Sequence, residues 1–236
     1  MKLGSRDSRV ERPSMLSRAA AVLLPLLGHL TVTREADGPY PGGSVFVANH
    51  DSPADPAVVL AALRSVGVRP AVLATAGLWR VPVLGRALSK EGHIPVHRGS
   101  ARAAEALAAA AEVLGTGRHV LIYAEGGLPR RKDAGGTAPL PFRTGLARLV
   151  AATGAPVVPV GQVGARRLCS GTVAKQLSGV LTAPVRRPRF HVHIGSPVHL
   201  PAGTARGTAI AHGAVGAAWR RAAHAVGEPA LEPGTR

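Results

Sequence analysis

Short, almost continuous apolar runs alternate along this chain with longer stretches whose apolar residues recur at helical spacing. Val45–Ala48, Ala71–Thr75, His93–Val96, His119–Ala124, Pro156–Val163 and Phe190–Ile194 read as strands. Between and after them, Asp55–Val66, Ala101–Leu114, Phe142–Ala152 and Gly207–Val226 read as helices, and Leu78–Ser89 as a helical pattern broken around Pro82. Ala101–Leu114 is the clearest helix, built of strong formers and followed by Gly115 as a stop. Strands alternating with helices predict an α/β fold: a single domain with a largely parallel sheet flanked by helices.

The N-terminal part has a different pattern. Residues 1–18 are basic and polar, a tail. Residues 19–33 are uncharged and apolar, interrupted by Pro25, Gly28 and His29. That segment is shorter than the about 20 residues a spanning helix needs. A basic start followed by an apolar stretch also has the shape of a secretory signal, but no small-residue cleavage site follows. The segment is therefore read as an apolar helix, membrane-associating or packed. Residues 34–227 form the folded domain and 228–236 a C-terminal tail.

Composition narrows the function. Hydrophobic residues make up 46% of the 236, which means a globular chain, and aromatics only 3%, so the core rests on aliphatic side chains. Cys169 is the single cysteine, which excludes an intrachain disulfide and a cysteine zinc cluster. Twenty-nine basic residues face 13 acidic ones, for a net charge of +16. No Asp or Glu occurs from Ala134 to Gly227. Such a chain expects an anionic partner: nucleic acid, an anionic membrane surface or a phosphorylated substrate. Nucleic acid is the alternative function, but stacking aromatics are scarce and no familiar binding motif appears. Ten histidines raise a metal hydrolase, with His191 and His193 on one strand face, yet no acidic ligand follows them and H-E-x-x-H is absent.

Candidate chemistry gathers in loops that follow strands, where α/β sheets carry their sites. After Val45–Ala48 come Asn49, His50, Asp51, Ser52 and Asp55. One reading is a helix start, with Ser52 as N-cap, Pro53 as first helical residue and Asp55 completing a capping box. The other is a His50–Asp55 dyad, a base beside an orienting carboxylate. The two are compatible. Arg98 follows the next short strand and offers a fork suited to phosphate. Glu125, Gly126, Gly127, Arg130, Arg131 and Lys132 follow another, where paired glycines suit an anion nest.

These residues resemble the glycerolipid acyltransferase family, typified by the 1-acylglycerol-3-phosphate O-acyltransferases. Its N-H-x-S-x-x-D motif is matched by Asn49, His50, Ser52 and Asp55, and its G-x-I-x-V-x-R motif by Gly92, Ile94, Val96 and Arg98. Its F-P-E-G-T-R motif is matched in part by Tyr123, Ala124, Glu125 and Gly126, with Gly127 and Leu128 in the last two places. A V-P-V strand is matched by Val158, Pro159 and Val160, and Phe142-Arg143-Thr144-Gly145 resembles the basic segment before it. The resemblance makes 34–227 an acyltransferase domain. It implies transfer of an acyl group from acyl-CoA or acyl carrier protein, as co-substrate, to a lysophospholipid hydroxyl in phospholipid biosynthesis, with no cofactor and no metal. It implies His50 as base with Asp55 orienting it, and Arg98, Glu125, Gly126 and Gly92 at the acceptor, with Arg130 or Arg131 replacing the arginine that Leu128 displaces. No G-x-S-x-G elbow competes with it. The expected place of work is the cytoplasmic face of a membrane, held peripherally or by shallow insertion.

Overall fold

Strand β2 (Val45–Ala48) has no polar position because both of its faces are covered. Val45 and Val47 pack into one core, Phe46 and Ala48 into another, as the two-residue period of a central parallel strand requires. The structure, a computed structural model, describes residues 15–99, 102–129 and 138–228. Seven strands form one sheet: β1 (His29–Arg34), β2, β3 (Ala71–Thr75), β4 (Ile94–Val96), β5 (Val120–Ile122), β6 (Val157–Val163) and β7 (Arg189–Ile194). Their order across the sheet is β1-β7-β6-β2-β5-β3-β4. All neighbours are parallel except β6 and β7.

Helices cover both faces. The core containing Phe46 is closed by α1 (Met15–Leu27) and α2 (Asp55–Ser65), with Ala183 of α6 (Val173–Arg186) at its border. The opposite core is closed by α4 (Ala103–Gly115), α5 (Gly145–Thr153) and α7 (Thr204–Ala225). A 3-10 turn at Ala76–Arg80 leads into α3 (Pro82–Lys90), the two halves of the broken pattern around Pro82. Gly161 of β6 has no room for a Cβ, because the backbone of Ala218 and Trp219 in α7 lies against it. That close approach places the longest helix directly over the C-terminal half of β6.

Three expectations change. The apolar segment 19–33 is not one helix: α1 begins at Met15 and stops at Leu27, and β1 follows from His29. The break falls at Gly28, where a side chain would strike Pro188 and Phe190. Thr31, Val32 and Thr33 then supply β-branched positions that pair with β7. α6 was assigned to no element; Gly179 and Pro184 inside it and its exposed leucines disguise a helix whose N-cap Thr172 accepts the Lys175 N–H. β7 turns antiparallel to β6, the one such pair among the described strands of a sheet that is otherwise parallel, as expected. α2 starts at Asp55, as its apolar spacing predicts, but Ala54 takes the cap position with no side-chain cap, so Ser52 is not its N-cap and Pro53 is not its first helical residue.

Candidate functional site

The polar cluster after β2 is held by hydrogen bonds to a single carboxylate oxygen. Asp55 Oδ2 accepts the backbone N–H of Ser52 at 2.9 Å and of Asp51 at 2.7 Å. The same oxygen lies 2.9 Å from His50 Nδ1. Ser52 is not the N-cap of α2, which is Ala54, so its N–H contact ties the loop to the first residue of the helix rather than completing a capping box. Asp55 is fully buried, and the His50 side chain is 13% exposed. Because two amides already donate to Oδ2, His50 Nδ1 is the donor of its pair, which leaves the lone pair on Nε2. Among the described residues, Nε2 has no hydrogen-bond partner.

Three neighbouring elements fix this loop from below. Asn49 Nδ2 donates to Gln162 O at 3.0 Å and Gln162 N–H returns to Asn49 Oδ1 at 2.8 Å, locking β2's end to β6. Gln162 Nε2 reaches Asp51 Oδ1 at 3.2 Å, and Arg166 Nη1 donates to Asp51 O at 2.6 Å. Glu125 accepts His50 N–H at 2.8 Å with one oxygen and Leu140 N–H at 3.1 Å with the other. Its carboxylate is thereby committed to holding two loops together. The Ser52 hydroxyl donates to Cys169 O at 2.6 Å and accepts the Ala54 N–H at 3.1 Å, so it is tied into the backbone and faces no cavity. Arg166 and Gln162 went unnoticed in the sequence, where Arg166 is one basic residue among many; only the return of β6 beside β2 brings them under His50.

Burial sets the charges. It lowers His50 to about 4, against the upward pull of Glu125 and Asp51, with Arg98 lowering it further. It raises Asp55 to about 8, opposed by the Ser52 and Asp51 amides and by Arg166. It raises Asp51 to about 7, helped by the neighbouring Asp55 charge, and Glu125 to about 7. A neutral imidazole with one nitrogen anchored and the other open at pH 7 is equipped to accept a proton. The Tyr123 ring packs on it, with centroids 4.4 Å apart.

Two cavities, each of about 480 Å³, share Arg98, Tyr123 and Leu73 in their walls. The first is apolar, running along β3 from Val72 to Thr75 beneath Leu24 of α1, Leu60 of α2 and Leu84 of α3, with His50 in its wall. The second is cationic, with Arg98, Arg143 and Arg148 around the N-terminus of α5. Burial, and then the adjacent Arg143 charge, lower the pKa of Arg98. Gly126, at φ +76°, lets the Arg143 side chain lie where a Cβ would be. His50, Asp55, Arg98, Glu125 and Gly126 are thus brought together. Gly92 is not: it closes the α3–β4 turn at φ +68°, at the other end of β4 from Arg98, beside Arg118. Arg130, with Arg131 and Lys132, lies outside the described residues. Among the described residues, the cation that acts on Arg98 is Arg143, which the sequence marks by its place before Thr144-Gly145. Among the described residues no group of three or more His, Cys, Asp or Glu side chains could hold a metal ion.

The 1-acyl-sn-glycerol-3-phosphate acyltransferase BAT2, chloroplastic, of Brassica napus is 30% identical over 125 residues. That match covers 52% of this chain and 34% of the relative, so the chain spans about a third of the length of the curated relative it matches. The crystal structure of the 1-acyl-sn-glycerophosphate (LPA) acyltransferase PlsC from Thermotoga maritima superposes with a TM-score of 0.67 at 18% identity, covering 92% of this chain and 80% of that one, a likeness of fold. The acyltransferase family model matches residues 29–163, which run from β1 through β6 and include the whole of the His50 loop, Arg98, Glu125 and Arg143. The chain belongs to the acyltransferase family.

Proposed function

We propose that this protein moves a fatty acyl group from a thioester, acyl-CoA or acyl carrier protein, to the free hydroxyl of a lysophospholipid, with 1-acylglycerol-3-phosphate as acceptor and phosphatidic acid as product. The observation that carries the reading is His50 in the wall of an apolar cavity that shares Arg98 and Tyr123 with a cationic one. The apolar cavity suits an acyl chain, and Arg98 and Arg143 suit a phosphate monoester, so carbonyl and hydroxyl meet at the imidazole. His50 Nε2 takes the acceptor's hydroxyl proton while the oxygen attacks the thioester carbonyl. Asp55 holds the Nδ1–H and stabilises the imidazolium. As the carbon–sulfur bond breaks, the imidazolium returns the proton to the thiolate, leaving ester and free thiol. Glu125 and Arg166 act as positioning residues through the His50 and Asp51 backbone.

The chemistry of the acceptor named for the plant relative enters here by the same route. Basic residues concentrated in a cavity beside His50 favour a phosphorylated small substrate over nucleic acid, which needs an extended stripe. No helix among the described residues is long and apolar enough to cross a membrane. Attachment is therefore proposed to be peripheral, on an anionic leaflet at the cytoplasmic face. The test is a transferase assay of the purified protein, offering acyl-CoA and acyl carrier protein donors against lysophosphatidic acid, glycerol 3-phosphate and neutral lyso-lipids. Ester formation with a phosphomonoester acceptor is expected. Transfer only to acceptors lacking phosphate would overturn the assignment of Arg98 and Arg143.

A further inference from the structure

Apart from Leu128 and Ile210, the large hydrophobic side chains exposed among the described residues lie on three elements. α1 exposes Met15, Val22, Leu23 and Leu26; the Ala76–Lys90 segment exposes Leu78, Val81 and Val83; α6 exposes Val173, Leu177, Leu181 and Val185. These elements are neighbours, with α1 packing against both α3 and α6. Arg187, which caps α6, donates to Pro25 O of α1 at 3.0 Å. They also surround the apolar cavity: Leu23 and Leu78 are both exposed and cavity-lining, and Leu168, on which Gly179 of α6 rests, lines it too.

On α6 the pattern is specific. Val173, Leu177, Leu181 and Val185 recur every four residues, so they form one stripe along the helix. Val185 is 88% exposed and Leu181 78%. The side of α6 that meets the domain carries Gly179, Val180 and Ala183, of which only Ala183 is fully buried, while four of the helix's five large apolar side chains are exposed. Helices of a folded domain ordinarily bury their large apolar residues; this one turns them outward. Lys175 and Arg186 lie on the same helix, Arg18 on α1, and Arg80 and Arg86 beside the third element. No Asp or Glu occurs on α1, α6 or Ala76–Lys90. An apolar stripe framed by cations and free of carboxylates matches an anionic bilayer surface better than it matches a copy of itself, which would set like charges against one another.

We propose that α6 is a membrane-docking helix, which with α1 and the Ala76–Lys90 segment seats the mouth of the apolar cavity on an anionic lipid surface. An acyl chain then passes from bilayer to cavity without crossing water. The assignment rests on the lipid substrate proposed above, and its test separates the two. Sedimentation with phosphatidylcholine vesicles, with and without phosphatidylglycerol, is measured for wild type, for Leu177→Ser/Leu181→Ser, for Val173→Ser/Val185→Ser and for Ile210→Ser on α7. Each α6 pair should weaken binding to the anionic vesicles about tenfold or more, since each removes apolar area from the interface. Ile210→Ser should bind as wild type does. Turnover on a water-soluble short-chain acceptor should be unchanged in all of them, and melting curves check the fold. Undiminished vesicle binding by both α6 pairs overturns the proposal. So does a wild-type dimer, seen by analytical ultracentrifugation, that the α6 pairs dissociate without loss of vesicle binding, because a second copy then covers the stripe. Loss of vesicle binding in a protein with no transferase activity keeps the docking surface and removes the proposed reaction.

Discussion

This sheet carries two buried histidine clusters, and only one of them is built like a site. At the junction of β1 and β7, Thr31 Oγ1 lies 2.7 Å from His191 Nδ1, Thr33 Oγ1 lies 2.9 Å from both His191 Nε2 and His193 Nδ1, and His193 Nε2 lies 3.4 Å from Glu35 Oε1. Glu35 also accepts the Ser196 N–H at 2.9 Å and pairs with Arg221 at 2.8 Å. After β2, His50 pairs with Asp55 at 2.9 Å. Both clusters have histidine, carboxylate and burial. In the ladder every ring nitrogen is engaged, and neither histidine lines the cavities described above. Among the described residues His50 keeps Nε2 without a partner, and it lines the apolar cavity. A histidine near a carboxylate is thus common to a strut and to a base; what separates them is one unspent nitrogen facing space for a ligand.

The largest expected effect breaks the comparison directly. His50→Ala should lower turnover roughly 10²–10⁴-fold, the usual loss for a general base, with an unchanged melting curve. His191→Ala should do the reverse, lowering the melting temperature and sparing turnover. Equal activity losses in the two variants would dissolve the distinction. Next, Arg143→Ala should raise the acceptor's KM roughly 10- to 150-fold, as loss of a charge-assisted contact of about 1.5–3 kcal/mol implies, and leave the donor's KM alone. A rise in donor KM instead would move Arg143 to the carrier's phosphates.

The pH dependence sharpens the pair itself. Proton uptake by the His50–Asp55 unit blocks the base, and burial raises Asp55 to about 8. Activity as kcat/KM should therefore rise with pH and level off above about 8. A profile already flat above an ordinary imidazole value would show Asp55 ionised throughout. The smallest effect belongs to the ladder. Thr33→Val removes the hydroxyl shared by both histidines and should cost about 1–3 kcal/mol of stability with turnover intact, read from denaturant melts. Burial lowers His191 below its ordinary value of 6.5, so wild type and variant alike should lose stability as pH falls below that value.

Much of the fold was legible because buried parallel strands leave an unmistakable trace. β2, β3, β5 and β6 are short apolar runs covered on both faces, and α4 announces itself by composition. The misses share a cause. β1 was absorbed into the apolar stretch before it, since its strand character depends on pairing with β7, 160 residues onward at Thr31↔His191. α6 hid because its apolar residues face outward, so no core pattern marks it. At the site, the motif spacing pointed to His50, Asp55 and Arg98, which the fold brings together; Arg130 and Arg131 lie outside the described residues, and only the fold sets Arg143 beside Arg98.

By itself, the sequence determined the pairing of His50 with Asp55. Five residues separate them, and a turn feeding a helix leaves the carboxylate within reach of both the loop amides and the imidazole. That is local geometry, fixed by chain connectivity and capping. Tertiary structure alone decided what that pair faces. Gln162 and Arg166 come under the loop only through β6, Glu125 and Tyr123 only through β5, and Arg143 only because α5 begins where Gly126 leaves it room. The desolvation that holds His50 neutral comes from all of these at once. Burial is a sum over elements far apart in the chain, so no local stretch of sequence contains it.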